Sequence, residues 1–238
     1  MIKTKKPEDW INTGSELMRW DPIKGTRMIA TGIKQLPESG IAWYNLGLGL
    51  HLRGKIEAAI RSYRQSISYA KEENLKIANI TNLAQDLLLN GEFEEGWKLY
   101  EQRFKRKKID MSTYIELFGV AWEGWKDKRP CRKLIIVGEQ GLGDTLQFVR
   151  LLLLLKNAGI KTEFFGPEIL KPLLEEGCQL GPFVSMLNSG SEKDVRWCSL
   201  MSLPQRLNIN VNNIPLDEGY LKPNEERHKY WRDILKKE

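Results

Sequence analysis

Apolar positions in the first hundred residues recur every three or four places, the spacing of amphipathic helices, and the period changes after Lys133. Leu134 to Val137 is an unbroken apolar run and predicts a short buried strand. Residues 144–158 return to helical spacing and end at Gly159. A second strand is expected over 162–165, and a second helix over 167–176 with Gly177 as its stop. A third strand is expected near 183–186, and a short strand or turn over 197–200 leads into 203–207. Strands alternating with helices imply a parallel sheet. Residues 151–155 are strongly apolar, but Arg150 and Lys156 bracket them, so they read as a buried helix turn and fall far short of a membrane span.

The helical part repeats itself. Trp43, Leu46, Gly47 and Leu50 lie on one helix, Gly54 turns the chain, and Ala59 and Tyr63 follow on the next. This pattern resembles the tetratricopeptide repeat, in which small residues let paired helices approach and large ones fill the space between repeats. Leu83, Ala84, Leu87, Gly91, Gly96 and Tyr100 form a later copy at slightly longer spacing, with the extra length expected in 71–76. Trp10, Gly14, Leu17, Ala30 and Ile33 form a degenerate first copy that ends at Pro37. Three such repeats suffice to bury a continuous core. They would either present a groove to a protein or peptide, or simply pack on the domain that follows. The expected division is 1–105 for the repeats, 106–132 for a connector and 133–238 for the α/β domain. The connector holds Phe118, Trp122, Gly124, Trp125 and Pro130, too many aromatics for a flexible linker, and is expected to dock as a wedge between the two halves.

Charge and cysteine content narrow the function classes. The net charge is +6, and much of it is the run Arg103, Lys105, Arg106, Lys107 and Lys108, which reads as a solvated helix end. No second basic stripe with interleaved aromatics accompanies it, so nucleic acid is not favoured as a partner. Cys131, Cys178 and Cys198 form no Cys-x-x-Cys pair, which argues for reduced thiols, a cytoplasmic location and no disulfide frame. With two histidines, His51 and His228, no metal site is expected. The N-terminus is basic but lacks the apolar segment of a signal peptide.

Candidate chemistry concentrates at 137–145, Val-Gly-Glu-Gln-Gly-Leu-Gly-Asp-Thr. The stretch reads as a strand end, a glycine-rich turn and a helix start near Asp144, which is how α/β domains present a loop to a phosphorylated or sugar-like ligand. A phosphate-binding P-loop would need Lys where Asp144 stands, and a carboxylate there repels a triphosphate. A dinucleotide fingerprint would need a third glycine where Leu146 stands. Asp144 itself fits two roles, a helix cap or a base that takes a proton from an acceptor hydroxyl. Glu139 and Gln140 are either solvated loop residues or donors and acceptors for sugar hydroxyls.

Residues 91–104, then Trp122-Glu-Gly124, then 137–150 resemble bacterial tetratricopeptide-repeat proteins with a glycosyltransferase-like C-terminal region. Leu200-Met-Ser-Leu-Pro204, Ile214-Pro and Tyr220-Leu221 extend the resemblance, which covers roughly 75–235. The Gly-Leu-Gly-Asp element also resembles heptosyltransferase-like enzymes, in which the residue matching Asp144 is a candidate catalytic base. Trp197 and Ser199 depart from the pattern, standing where these proteins carry His and Pro. The resemblance implies a fold of α plus α/β type, helical repeats followed by the Rossmann-like N-terminal half of a GT-B fold. The first GT-B domain holds the acceptor and the second a nucleotide-sugar. The chain is expected to stop where the second begins, with Tyr220-Leu221 and 231–235 leading toward it. It would then be an acceptor half, inactive alone, with Asp144 as base and Glu139, Gln140, Gly141, Leu142, Gly143, Thr145 and Gln147 as the acceptor site. No cofactor beyond a nucleotide-sugar donor is implied; the partners would be a sugar or glycan acceptor and a protein held by the repeats. The alternative is a non-catalytic interaction module or scaffold.

Overall fold

Helical periodicity in the first part of the chain becomes three antiparallel hairpins. In the computed structural model α1 (Pro7–Leu17) pairs with α2 (Pro22–Ile33), α3 (Gly40–Leu52) with α4 (Ile56–Tyr69), and α5 (Glu73–Leu89) with α6 (Phe93–Tyr100). A short turn of helix, α7 (Arg103–Arg106), follows. The structure describes residues 6–106, 118–178, 180–183, 194–215 and 219–236. Two units divide the chain, Met1–Ile109 and Asp110–Glu238.

Hairpin packing in the first unit follows the small residues. Gly14 faces Gly25 across the first pair, and a methyl group on either would collide with the carbonyl of the other. A methyl on Gly47 would lie 2.5 Å from Cε1 of Tyr63. Ala59 and Ala84 are fully buried. The helices can therefore close to backbone contact, and Tyr63, Leu83 and Leu87 fill what remains. Arg103 differs from the expected solvated cation. It is buried, lies 4.9 Å over the Tyr100 ring and 4.1 Å over the Phe104 ring, and meets Glu101 at 2.6 Å. Aromatic faces and a carboxylate replace its water. Lys107 and Lys108 lie outside the described residues.

The second unit is built on a three-stranded parallel sheet of order β2-β1-β3. β1 is Lys133–Val137, β2 Lys161–Phe165 and β3 Val195–Ser199. β1 is central, with Val137 opposite both Phe165 and Ser199, and its apolar run is buried on both faces, as a central parallel strand requires. Leu134 and Ile136 face a core with Leu152, Leu155, Phe164 and Leu203. Ile135 and Val137 face Phe118, Val195 and Trp197. Phe183 bridges Phe164, while the rest of the third strand expected at 183–186 lies outside the described residues. So do residues 107–117 of the connector.

The expected helix over 144–158 is two helices, α8 (Leu142–Phe148) and α9 (Leu151–Asn157), separated by a turn at Val149 and Arg150. The Arg150 side chain folds back, its Nε donating to the Gln147 carbonyl at 2.9 Å. The expected helix over 167–176 is a 3-10 turn, Glu168–Leu170, followed by a wider π-type turn, Pro172–Gly177. Pro172 lacks the N–H that a regular helix would use there. α10 (Leu203–Arg206) and α11 (Glu225–Leu235) complete the unit.

Trp122-Glu-Gly124 is a structural clasp in this unit. The Trp122 amide donates to the Trp197 carbonyl at 2.7 Å, and Ala121 bridges β3. Gly124 has φ +90, and a methyl there would collide with the Arg206 carbonyl oxygen. Trp125 stacks edge-on against Trp122 and is itself half exposed.

Candidate functional site

Strand order places the glycine-rich loop. The chain leaves β1, crosses to β2 on one side, and returns to β3 on the other side of β1. The loops after β1 and β3 therefore diverge at the carboxyl edge of the sheet, where open α/β sheets form a ligand crevice. Residues 138–141 are the loop after β1. The Gly138 amide donates to the Phe165 carbonyl at 2.7 Å, which ties the start of the loop to the end of β2.

Glu139 is half-buried and takes a hydrogen bond from the Ser199 hydroxyl at the end of β3. It is thus not a solvated loop residue, because its carboxylate ties the loop after β1 to the end of β3 at the carboxyl edge of the sheet. Gln140 is half-buried beside it in sequence. Gly141 is the N-cap of α8, with an extended backbone and no side-chain cap. Leu142, Gly143 and Asp144 form the exposed first turn.

The helix starts two residues before the expected place, so Asp144 sits inside the first turn and is not the capping residue. Its Oδ2 lies 3.8 Å from the place a Gly141 methyl would occupy, so the carboxylate turns back over the loop. Asp144 makes no hydrogen bond or ion pair with another described residue. It is exposed, near the positive end of the helix backbone, and open to a ligand.

Thr145 and Gln147 part company with this group. Thr145 is buried, and both its amide and its hydroxyl bond to the Gly141 carbonyl at 3.0 and 3.1 Å, so it holds the turn. Gln147 is exposed one turn further along α8. The structure thus gathers Glu139, Gln140, Gly141, Leu142, Gly143 and Asp144 around one loop and gives Thr145 an inward, structural position.

Two neighbours escaped the sequence reading as site members. Ser199 was noted as a departure from a pattern, yet the parallel register sets it opposite Val137 and within reach of Glu139. Tyr220 donates its hydroxyl to the Leu146 carbonyl at 2.7 Å, and Arg150 lies 4.7 Å over its ring. The residues around Tyr220 carry no local signal for such a contact. Among the described residues no cluster of three His, Cys, Asp or Glu side chains could hold a metal ion, and no helix is long and apolar enough to cross a membrane.

Comparison with known proteins places the chain loosely. No family model matches it. Over 121 residues, 50% of the chain, it is 32% identical to Protein FlbA of Caulobacter vibrioides (strain ATCC 19089 / CIP 103742 / CB 15), and it spans 20% of that protein's length. A mutant form of the Thermobaculum terrenum O-GlcNAc transferase superposes with a TM-score of 0.38 at 12% identity, covering 68% of this chain and 38% of that one. That superposition assigns neither a fold nor an activity.

Proposed function

We propose that the second unit is the acceptor-binding half of a sugar transferase, with Asp144 as the base that deprotonates the acceptor hydroxyl. One observation carries the reading: Asp144, an exposed carboxylate with no partner among the described residues, stands in the first turn of α8, directly after the loop that leaves the central strand at the switch in strand order. The Glu139–Ser199 hydrogen bond holds the crevice at its base. Gln140 and the loop amides offer hydrogen bonds to sugar hydroxyls. The helical hairpins, read as tetratricopeptide-like repeats, hold a protein partner.

Nucleophilic attack by a hydroxyl needs its proton removed as the bond to the sugar carbon forms. A carboxylate can accept that proton without giving up a hydrogen bond to the protein. The described residues contain one parallel sheet, whereas the resemblance implies two such domains around a transferase cleft. The proposal therefore assigns acceptor binding and proton transfer to this chain and leaves the nucleotide-sugar to a second domain or subunit. Positioning both substrates across one cleft is a large part of the rate.

The test is transfer from a panel of nucleotide-sugars, measured on the protein with its donor-binding part present. Asp144→Asn should cut turnover by roughly 10²–10⁴-fold while leaving acceptor binding intact, the usual contribution of a general base. Unchanged turnover would remove Asp144 from the chemistry.

A second reading rests on the hairpins. Ile41, Leu52 and Leu89, all on the first helices of their hairpins, are exposed apolar residues. This favours a peptide-binding module with no catalysis. Peptide capture lost in Leu52→Asp and Leu89→Asp, with no sugar transfer by any form of the protein, would select it over the first.

A further inference from the structure

The amino edge of the sheet, opposite the glycine-rich loop, holds a cavity of about 560 Å³ lined by residues of the second unit alone. A five-residue strand puts it about 16 Å from the loop after β1, too far for one small ligand to serve both. Lys133 and Lys161 are the first residues of β1 and β2, and Lys156 lies in the last turn of α9. Arg132 adds a further cation to the wall.

Glu163 is the one carboxylate among the lining residues, and Lys133 meets it at 3.1 Å in a half-buried pair. That pair cancels its own charge. Lys156 and Lys161 are exposed and have no carboxylate partner among the described residues. Leu152 and Leu180, both buried, form an apolar floor beneath this rim. The fold therefore combines a cationic rim, an apolar floor and a volume typical of small-molecule sites.

We propose that this cavity is a second ligand site, which binds a small phosphorylated molecule through Lys156 and Lys161, its uncharged part lying on the leucine floor. Lysine ammonium groups are compact point charges suited to phosphate oxygens. A helix end alone accounts for Lys156 through the backbone dipole. It does not account for Lys161, whose strand start faces the same space.

The experiment titrates the full chain with inorganic pyrophosphate by calorimetry and follows backbone amide shifts by NMR. The expected result is saturable one-to-one binding that shifts the amides of Thr162 and Gly181. The double variant Lys156→Ala with Lys161→Ala should bind roughly tenfold or more weakly, as loss of two charged hydrogen bonds predicts. Both side chains are exposed, so the variant keeps the fold. A control, Lys55→Ala with Lys98→Ala in the first unit, should bind as the parent does. Absent saturation, equal weakening in both variants, or unchanged affinity without the two lysines would each overturn the site.

Discussion

The two units solve the same problem, burying apolar side chains, by opposite routes. In the first, every large contact joins helices adjacent in the chain, and small residues set the spacing. In the second, the central strand pairs with segments on both sides, one of them reached only after β2. Local contacts make the hairpins nearly additive, as in repeat arrays. Non-local pairing makes the sheet dependent on loops closing first. The interiors differ as well. The helical unit buries a carboxylate, Asp86, against His51 at 2.6 Å. The two α/β cores are apolar clusters with charge gathered at the sheet edges. Candidate chemistry accompanies the second arrangement, because strand ends leave loops free to carry it.

The strongest way to break this contrast is to remove one large side chain from each core. Tyr63→Ala and Phe118→Ala each delete a fully buried aromatic ring. Each should cost about 3–5 kcal/mol, the range for such truncations. Hydrogen exchange read by mass spectrometry reports each unit by itself. Tyr63→Ala should raise exchange in α3 to α5, and Phe118→Ala in β1 and β3. A uniform rise across both units would show that the chain unfolds as one body.

Next in size are changes at the points of closest approach. Gly47→Ala drives a methyl into the Tyr63 ring, and Gly124→Ala drives one into the Arg206 backbone at a positive φ. Overpacking of this kind costs about 1–3 kcal/mol. The ring can turn and the backbone cannot, so Gly124→Ala should be the costlier, measured as the shift in urea midpoint. Equal shifts would mean that the loop before β1 yields as readily as a side chain.

These positions also show what sequence could and could not reveal. Gly47, Ala59 and Tyr63 are answered at one shared offset by Ala84, Gly96 and Tyr100, so these two hairpins are legible from local spacing alone. The β1 run is legible because its apolar residues are short in number, β-branched in three of four places and followed by a glycine-rich turn, which suits a strand buried on both faces. The break between α8 and α9 is not, because the apolar run 151–155 continues a helical pattern across it. Asp144 was legible as a helix-start carboxylate, but its place inside the turn depended on Gly141 taking the cap. The Glu139–Ser199 contact was hidden, since it follows from strand order, which no local pattern encodes. His51 and Asp86 were hidden for the same reason: their helices meet only once the hairpins stack.

His51→Ala tests that hidden pair. Asp86 Oδ2 already lacks a hydrogen-bond partner, and the substitution strips the partner of Oδ1 as well. A buried polar group so exposed to loss costs about 1–3 kcal/mol. The double variant His51→Ala with Asp86→Ala should recover part of this, since no orphan charge remains. A double variant as unstable as the sum of the singles would show that the pair is not coupled.

The smallest expected effect, and the sharpest in sign, is the response to acid. Burial first raises the Asp86 pKa above the ordinary carboxylate range, although the His51 hydrogen bond opposes this. Asp127 in the second unit is held well below that range, chiefly by the Arg129 hydrogen bond, with the Glu123 and Arg129 amides assisting. The folded helical unit therefore takes up a proton at Asp86 more readily than its unfolded chain does. Its contribution to stability is full below the unfolded value of about 3.9 and is lost as pH rises through the raised value. Asp127 behaves oppositely: its contribution is present above about 3.9 and is lost as pH falls toward its depressed value. Urea midpoints of parent, Asp86→Asn and Asp127→Asn, followed by unit-resolved exchange from neutral pH downward, should diverge in opposite directions. In the first unit the parent should gain on Asp86→Asn as pH falls, because protonation removes the buried charge that the variant never had. In the second it should lose its advantage over Asp127→Asn, because protonation breaks the ion pair that the variant never formed. Parallel curves in either unit would mean that the carboxylate there is solvated in the folded chain.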